Sequence, residues 1–302
     1  MIFLSRKNGE LEFIEVNSVA GRSANQAYDR EKRARNRSRL QKKRCRQRRR
    51  KRLICAAGLV LLVILLLSFA PVLERIFSDS GRDIEEFLAT QAPKEEYPQE
   101  LIELVEKNEE TLDFVRSYPD RADYIGQPID LSGDYVSGEV PLLFQWDKRW
   151  GYDTYGNGMI ALEGCGPTCL SMVYLYFTGD TTMNPREMAK FASENGYYSP
   201  EGTSWSLWTE GVGRLGLSGE LLSLSESSMK HALDAGSLII CSMRPGDFTT
   251  SGHFILIRGY DEKGFFVNDP NRRSNSEKQW GFERLSGQIK NLWSIHGMGT
   301  TW

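Results

Sequence analysis

Apolar positions along this chain fall into three textures. From 53 to 73, LICAAGLVLLVILLLSFAPVL, 21 consecutive residues carry no charge. As a helix such a run extends about 31 Å, the thickness of a bilayer core. It reads as a retained membrane span. A cleaved signal peptide is the rival, but Pro71 would follow the small pair Ser68 and Ala70, and the basic leader is too long for an ordinary signal. From 97 to 120 the pattern is amphipathic. Leu101, Leu104, Val105, Leu112 and Val115 recur on one face between Pro98 and Pro119, which predicts a helix over 98–117 that docks on the next domain.

The third texture begins near Pro141. Helical patterns over 167–177, 185–194 and 205–215 come first, and 231 sits on another amphipathic stretch. Strand-like runs follow: SLIICSM (237–243), HFILIRGY (253–260) and GFFVNDP (264–270), separated by Gly, Pro and Asp turns. Helices before an antiparallel sheet predict an α+β domain over 139–302. Between span and domain, 74–138 reads as a polar stalk carrying the 98–117 helix. The opening MIFLSRKNGELEFIEV is either a small strand pair or without regular structure, and no internal repeat is visible.

Charge sharpens this division. The formal net charge is only −2, yet residues 1–52 hold 18 Lys/Arg against 5 Asp/Glu, and the remaining 250 hold 20 against 35. The basic run REKRARNRSRLQKKRCRQRRRKR (30–52) abuts the start of the apolar span, and acidic sequence follows its end. The positive-inside rule then keeps 1–52 cytoplasmic and puts 74–302 outside, with the basic flank facing anionic lipid. Nucleic acid is not an expected partner, because no aromatic residue interrupts the run from Arg30 to Arg52.

Candidate chemistry centres on ALEGCGPTCLSMV (161–173). Cys165 stands between Gly164 and Gly166, just before Pro167, where a buried helix begins. The two glycines permit a tight turn and Pro167 suits a first helical turn. A thiolate is the reactive form of cysteine, and a helix N-terminus favours an anion. Such a thiol needs a base. Of three histidines, His231 reads as an ordinary boundary residue and His296 lacks an orienting acid downstream, whereas His253 opens an apolar strand after a Gly-rich turn. The tight turn DEKG joins that strand to the next, so antiparallel pairing brings Asp269 near His253, where a carboxylate stabilises the imidazolium. Gln145, 20 residues before Cys165, is the candidate side-chain oxyanion donor.

Cys45 and Cys55 fall in the cytoplasmic segment and the span. Cys169 and Cys241 either pair with each other or are two small buried residues, the second being the simpler reading. Zinc at Cys165 and Cys169 lacks a second Cys/His pair with suitable spacing, so neither a metal nor a cofactor is expected.

Together PLLFQWDKRWG, GCGPTCLSMV and GHFILIRGYDEKGFFVNDPN resemble the stand-alone, papain-like branch of cysteine peptidase family 39, best known for bacteriocin double-glycine leader peptidases. The resemblance spans about 139–302. It implies a papain-like fold with Cys165 as nucleophile, His253 as general base, Asp269 as orienting acid and Gln145 as oxyanion donor, and it places 202–211 beside the cleft. Unlike the exporter-borne members, this chain carries no G-x-x-x-x-G-K-[ST] phosphate loop and one span rather than several. The expectation is therefore a single-pass bacterial cell-surface cysteine peptidase, catalytic part outside, acting on a peptide or protein. The alternatives are a cell-wall endopeptidase or amidase of similar thiol chemistry, and a non-catalytic module binding through the same cleft.

Overall fold

The computed structural model describes residues 2–7, 10–15, 81–94 and 96–297. The chain divides into two units, Met1–Phe77 and Ser78–Trp302. The expected basic segment 30–52 and membrane span 53–73 lie outside the described residues. Among the described residues no helix is long and apolar enough to cross a membrane.

In the first unit, β1 (Ile2–Lys7) pairs antiparallel with β2 (Glu10–Glu15), Ile2 opposite Glu15 and Lys7 opposite Glu10. The strand-pair reading of the opening stretch is the one adopted. Asn8-Gly9, the dipeptide best suited to a two-residue hairpin turn, stands between the strands.

In the second unit two small ladders, β3 (Thr154–Tyr155) with β4 (Gly158–Met159) and β5 (Tyr198–Ser199) with β6 (Gly202–Thr203), accompany a six-stranded antiparallel sheet. The sheet contains β7 (Leu217–Leu221), β8 (Leu238–Met243), β9 (His253–Asp261), β10 (Gly264–Asn268), β11 (Gln279–Trp280) and β12 (Ile289–Gly297), in the order β11-β10-β9-β8-β12-β7. Its two faces follow from strand alternation. Leu238 and Ile240, Phe254 and Leu256, and Trp293 and Ile295 join one core cluster. Ile239 and Cys241, Ile255 and Ile257, and Ile289 and Leu292 join the other. Every residue of β8 is buried, Ser242 included, as a strand in a sheet covered on both sides requires.

Of the helices, α2 (Cys165–Thr178) packs on the first face. It is buried nearly all round and ends at Gly179, whose φ of 69° permits the left-handed cap that donates to Leu175 O. Beside it, α3 (Pro185–Glu194) starts with Pro185 at its first position and Asn184 Oδ1 accepting from the N–H groups of Arg186 and Glu187. The opposite face is covered by α4 (Glu226–Asp234), whose Met229 is fully buried.

Two expected helices differ from the pattern reading. The 98–117 helix is broken into α1 (Gln99–Lys107), a 3-10 turn Glu109–Thr111 and a short helix Leu112–Arg116. At the break Asn108 is extended (φ −143°, ψ 96°), and its Oδ1 accepts from Glu110 N. An Asn side chain that satisfies the next turn's N–H competes with helix continuation, which apolar periodicity does not register. Likewise 205–215 divides at Thr209 into a 3-10 turn, Trp205–Trp208, and a helix, Glu210–Arg214.

The segment before the domain is packed rather than extended. Phe87, Leu101, Val105, Phe114 and Val115 form a buried cluster with Tyr152 and Ala161. Phe114 stacks on Tyr152 at 4.2 Å between ring centroids, and the Tyr152 hydroxyl donates to Phe114 O.

Candidate active site

Cys165 is the first residue of α2 and is half-buried. Its flanking glycines serve close approach rather than unusual dihedral angles. Gly164 has φ −86°, and a Cβ there would stand 2.5 Å from Ile160 O. At Gly166 a Cβ would stand 2.5 Å from Thr203 Oγ1. The tight turn is present, Gly164 alone separating the helix Ile160–Glu163 from α2, and the lack of side chains at both glycines lets the start of α2 sink between Ile160 and Thr203.

A groove runs over this point in two lobes of about 780 Å³ and 400 Å³, which share Leu162, Cys165, Ser251, Gly252 and His253. The larger lobe is walled by Glu163, Glu201, Thr203 and Trp205 from the helical half and by Met243, Arg244 and Lys290 from the sheet. Trp205, in the 202–211 stretch expected beside the cleft, is 40% exposed there. The smaller lobe contains Gln145, Asn271, Arg272 and, from the preceding segment, Leu104, Lys107 and Asn108.

His253 begins β9 and is almost wholly buried. The ladder sets Leu256 opposite Asn268, so the start of β9 lies beside the chain leaving β10. There His253 Nε2 meets Asp269 Oδ1 at 2.7 Å. Asp269 is fully buried and has further donors: Asn271 N reaches Oδ1 at 2.8 Å and Asn275 Nδ2 reaches Oδ2 at 2.7 Å. Its own N–H donates to Ser276 Oγ at 2.8 Å.

Burial alone pulls the His253 pKa down, but the Asp269 charge and hydrogen bond outweigh it and lift the value to about 10, with the Cys165 side chain adding in the same direction. Burial pushes the Asp269 carboxyl up, and the His253 charge with the hydrogen bonds of His253, Asn275 and Asn271 brings it below the usual carboxylate range. The pair is therefore ionised, and Nδ1 is the nitrogen left for the thiol. A cysteine beside an imidazolium at the head of a helix has the surroundings of a nucleophile.

Gln145 is buried beneath the smaller lobe. Its backbone N–H donates to Pro270 O at 2.8 Å and its Nε2 to Ala161 O at 2.7 Å, while Oε1 has no partner. The structure thus brings Cys165, His253 and Gln145 to one groove, with Asp269 buried behind His253. Sequence reasoning passed over Asn275. It belongs to the short helix Arg273–Ser276 and gave no apolar pattern or motif, only its spacing of six from Asp269.

Cys169 and Cys241 are free and fully buried, which corrects the alternative that bridged them. Burial raises both thiols well above their ordinary pKa. His231 and His296 line a separate hollow of about 320 Å³ with Glu220. Among the described residues no group of three or more His, Cys, Asp or Glu could hold a metal ion.

Residues 138–298 match the model of the Peptidase C39-like family, and the chain belongs to that family. Two solved structures are similar. One is the peptidase domain of Streptococcus ComA, described as a bifunctional ABC transporter involved in a quorum-sensing pathway, at 15% identity and TM-score 0.37 over 53% of this chain and 100% of the other. The second is a putative C39-like peptidase from Bacillus anthracis, at 16% identity and TM-score 0.36 over 52% of this chain and 94% of the other. No curated protein matches the chain. A helical half followed by an antiparallel sheet, with the thiol at the head of the first buried helix, fits a papain-like α+β fold.

Proposed function

We propose that the protein is a cysteine peptidase that hydrolyses peptide bonds through Cys165, His253 and Asp269. The observation that carries this is the buried His253–Asp269 contact of 2.7 Å opening on a groove that the Cys165 thiol also lines. Family membership supports the same class of chemistry. In the reaction, the Cys165 sulfur, as a thiolate paired with the His253 imidazolium, attacks the substrate carbonyl. The second N–H of the Gln145 amide and the Cys165 backbone N–H receive the developing oxyanion. His253 then protonates the departing amine, and a water activated by the same imidazole cleaves the thioester. Asp269 stays ionised and holds the ring's orientation throughout.

In this proposal 53–73 spans the membrane, the basic 30–52 stretch holds the N-terminal side in the cytoplasm against anionic lipid, and residues from 74 onward face outward at a bacterial cell surface. The substrate is then a peptide or protein in the envelope, wall peptide included. The deciding experiment compares surface peptides and wall fragments from cells with wild type and with Cys165→Ala. Fragments present only with wild type support the proposal, and identical profiles refute it.

A further inference from the structure

The family match begins at 138, yet the smaller lobe has a wall that precedes it. Leu104, Lys107 and Asn108, at the end of α1, line the lobe beside Gln145 and Cys165. From the same place a set of hydrogen bonds crosses to the loop that follows Asp269. Glu110 Oε2 accepts from Arg273 N at 2.6 Å and Glu110 Oε1 from Ser274 N at 3.0 Å. Asn108 Nδ2 donates to Asn271 O at 2.6 Å, and the Arg272 guanidinium donates to Lys107 O. So 107–110 grips 271–274 at four consecutive residues.

That loop in turn supplies the groups that fix Asp269: Asn271 N, Asn275 Nδ2 and Ser276 Oγ. Glu110 caps the free N–H groups at the start of the Arg273–Ser276 helix, which carries Asn275 and Ser276. The break in the predicted 98–117 helix acquires a purpose here. An uninterrupted helix would lack the extended Asn108, whose Oδ1 accepts from Glu110 N while its Nδ2 reaches Asn271.

We propose that Glu110 and Asn108, from outside the family's own domain, are positioning residues for Asp269 and that 104–110 forms a built-in wall of the groove. This rests on the triad reading above. Loosening the grip lets the Asp269 loop shift and admits water to the His253–Asp269 contact, which weakens the hold of the carboxylate on the imidazolium.

The chain has three histidines, so ¹³C-histidine labelling of the full chain resolves each titration by NMR, with His253 assigned by His253→Ala. Glu110→Ala should lower the proton affinity of His253 by about 3- to 10-fold, the effect of losing part of one charged hydrogen bond. Asp269→Asn runs in parallel and should lower it further. An unmoved His253 midpoint in Glu110→Ala, with a lowered one in Asp269→Asn, overturns the positioning role and spares the triad. No movement in Asp269→Asn overturns both. If Glu110→Ala does not fold, Glu110→Gln retains one acceptor and gives the same readout at smaller amplitude.

Discussion

Replacing Asp269 with Asn tests the centre of the site without changing its shape. In the wild type His253 carries its proton up to about pH 10, against an ordinary 6.5. At about 1.4 kcal/mol per unit, that difference corresponds to roughly 5 kcal/mol of folded-state stabilisation. The figure agrees with the about 3–5 kcal/mol lost when one partner of a buried ion pair is removed. Its pH signature follows from the direction of the shift. A raised imidazole pKa gives stability that is fully present below 6.5 and is lost as pH climbs toward 10, by about 1.4 kcal/mol per unit. In Asp269→Asn burial, the largest influence on His253, is opposed only by the Cys165 side chain, so the ring sheds its proton at a much lower pH and this loss with rising pH disappears. Urea unfolding of the full chain at pH 7, 8 and 9 reads it out. The stability gap between wild type and variant should shrink by about 2–3 kcal/mol over that range. Cys169, Cys241 and Tyr155, all raised by burial, destabilise both proteins alike at high pH and cancel in the comparison. A gap that stays constant from pH 7 to 9 refutes the ionised pair.

Iodoacetamide at pH 7 should modify Cys165 at least about 100-fold faster than Cys169 or Cys241, since those two are sealed in the core with raised pKa values; peptide mass mapping over time checks this, and equal rates refute a displayed thiol. Gln145→Ala should lower kcat on a cleaved peptide by about 10²–10³ with little change in KM, the result of losing one oxyanion donor. Gly166→Ala forces a methyl to within 2.5 Å of Thr203 Oγ1 and should cost about 1–3 kcal/mol in thermal unfolding, with Thr203→Gly restoring part of it.

Apolar runs located β8, β9 and β10 to within a residue or two, because β8 and the first five residues of β9 are buried without a break and turn signals bound all three strands. They did not reveal β7 or β12. In β7, LSGEL, only the first residue is buried, as an edge strand allows. β12, IKNLWSIHG, mixes Lys290 and Asn291 with Leu292 and Trp293, so neither period stands out. Cys165, His253 and Asp269 were legible because local signals mark each: a helix start, a strand start, and a strand end reached through a short turn. The grip of Glu110 on Arg273 was not. It joins residues 163 positions apart through a side chain and a backbone N–H, and nothing in either segment's pattern announces the other. The same holds for the break at Asn108, which long-range partners fix.

The place of β12 governs how the molecule can be made. It is the last strand in chain order, yet it lies between β8 and β7, and Lys290 beside its start belongs to the groove. Both cores receive side chains from it, Trp293 and Ile295 on one side and Ile289 and Leu292 on the other. Neither core can therefore close during synthesis until β12 is available, and among the described strands β7 pairs with β12 alone. A nascent or truncated chain ending before 289 already holds all four candidate site residues but lacks the strand that joins both cores around them.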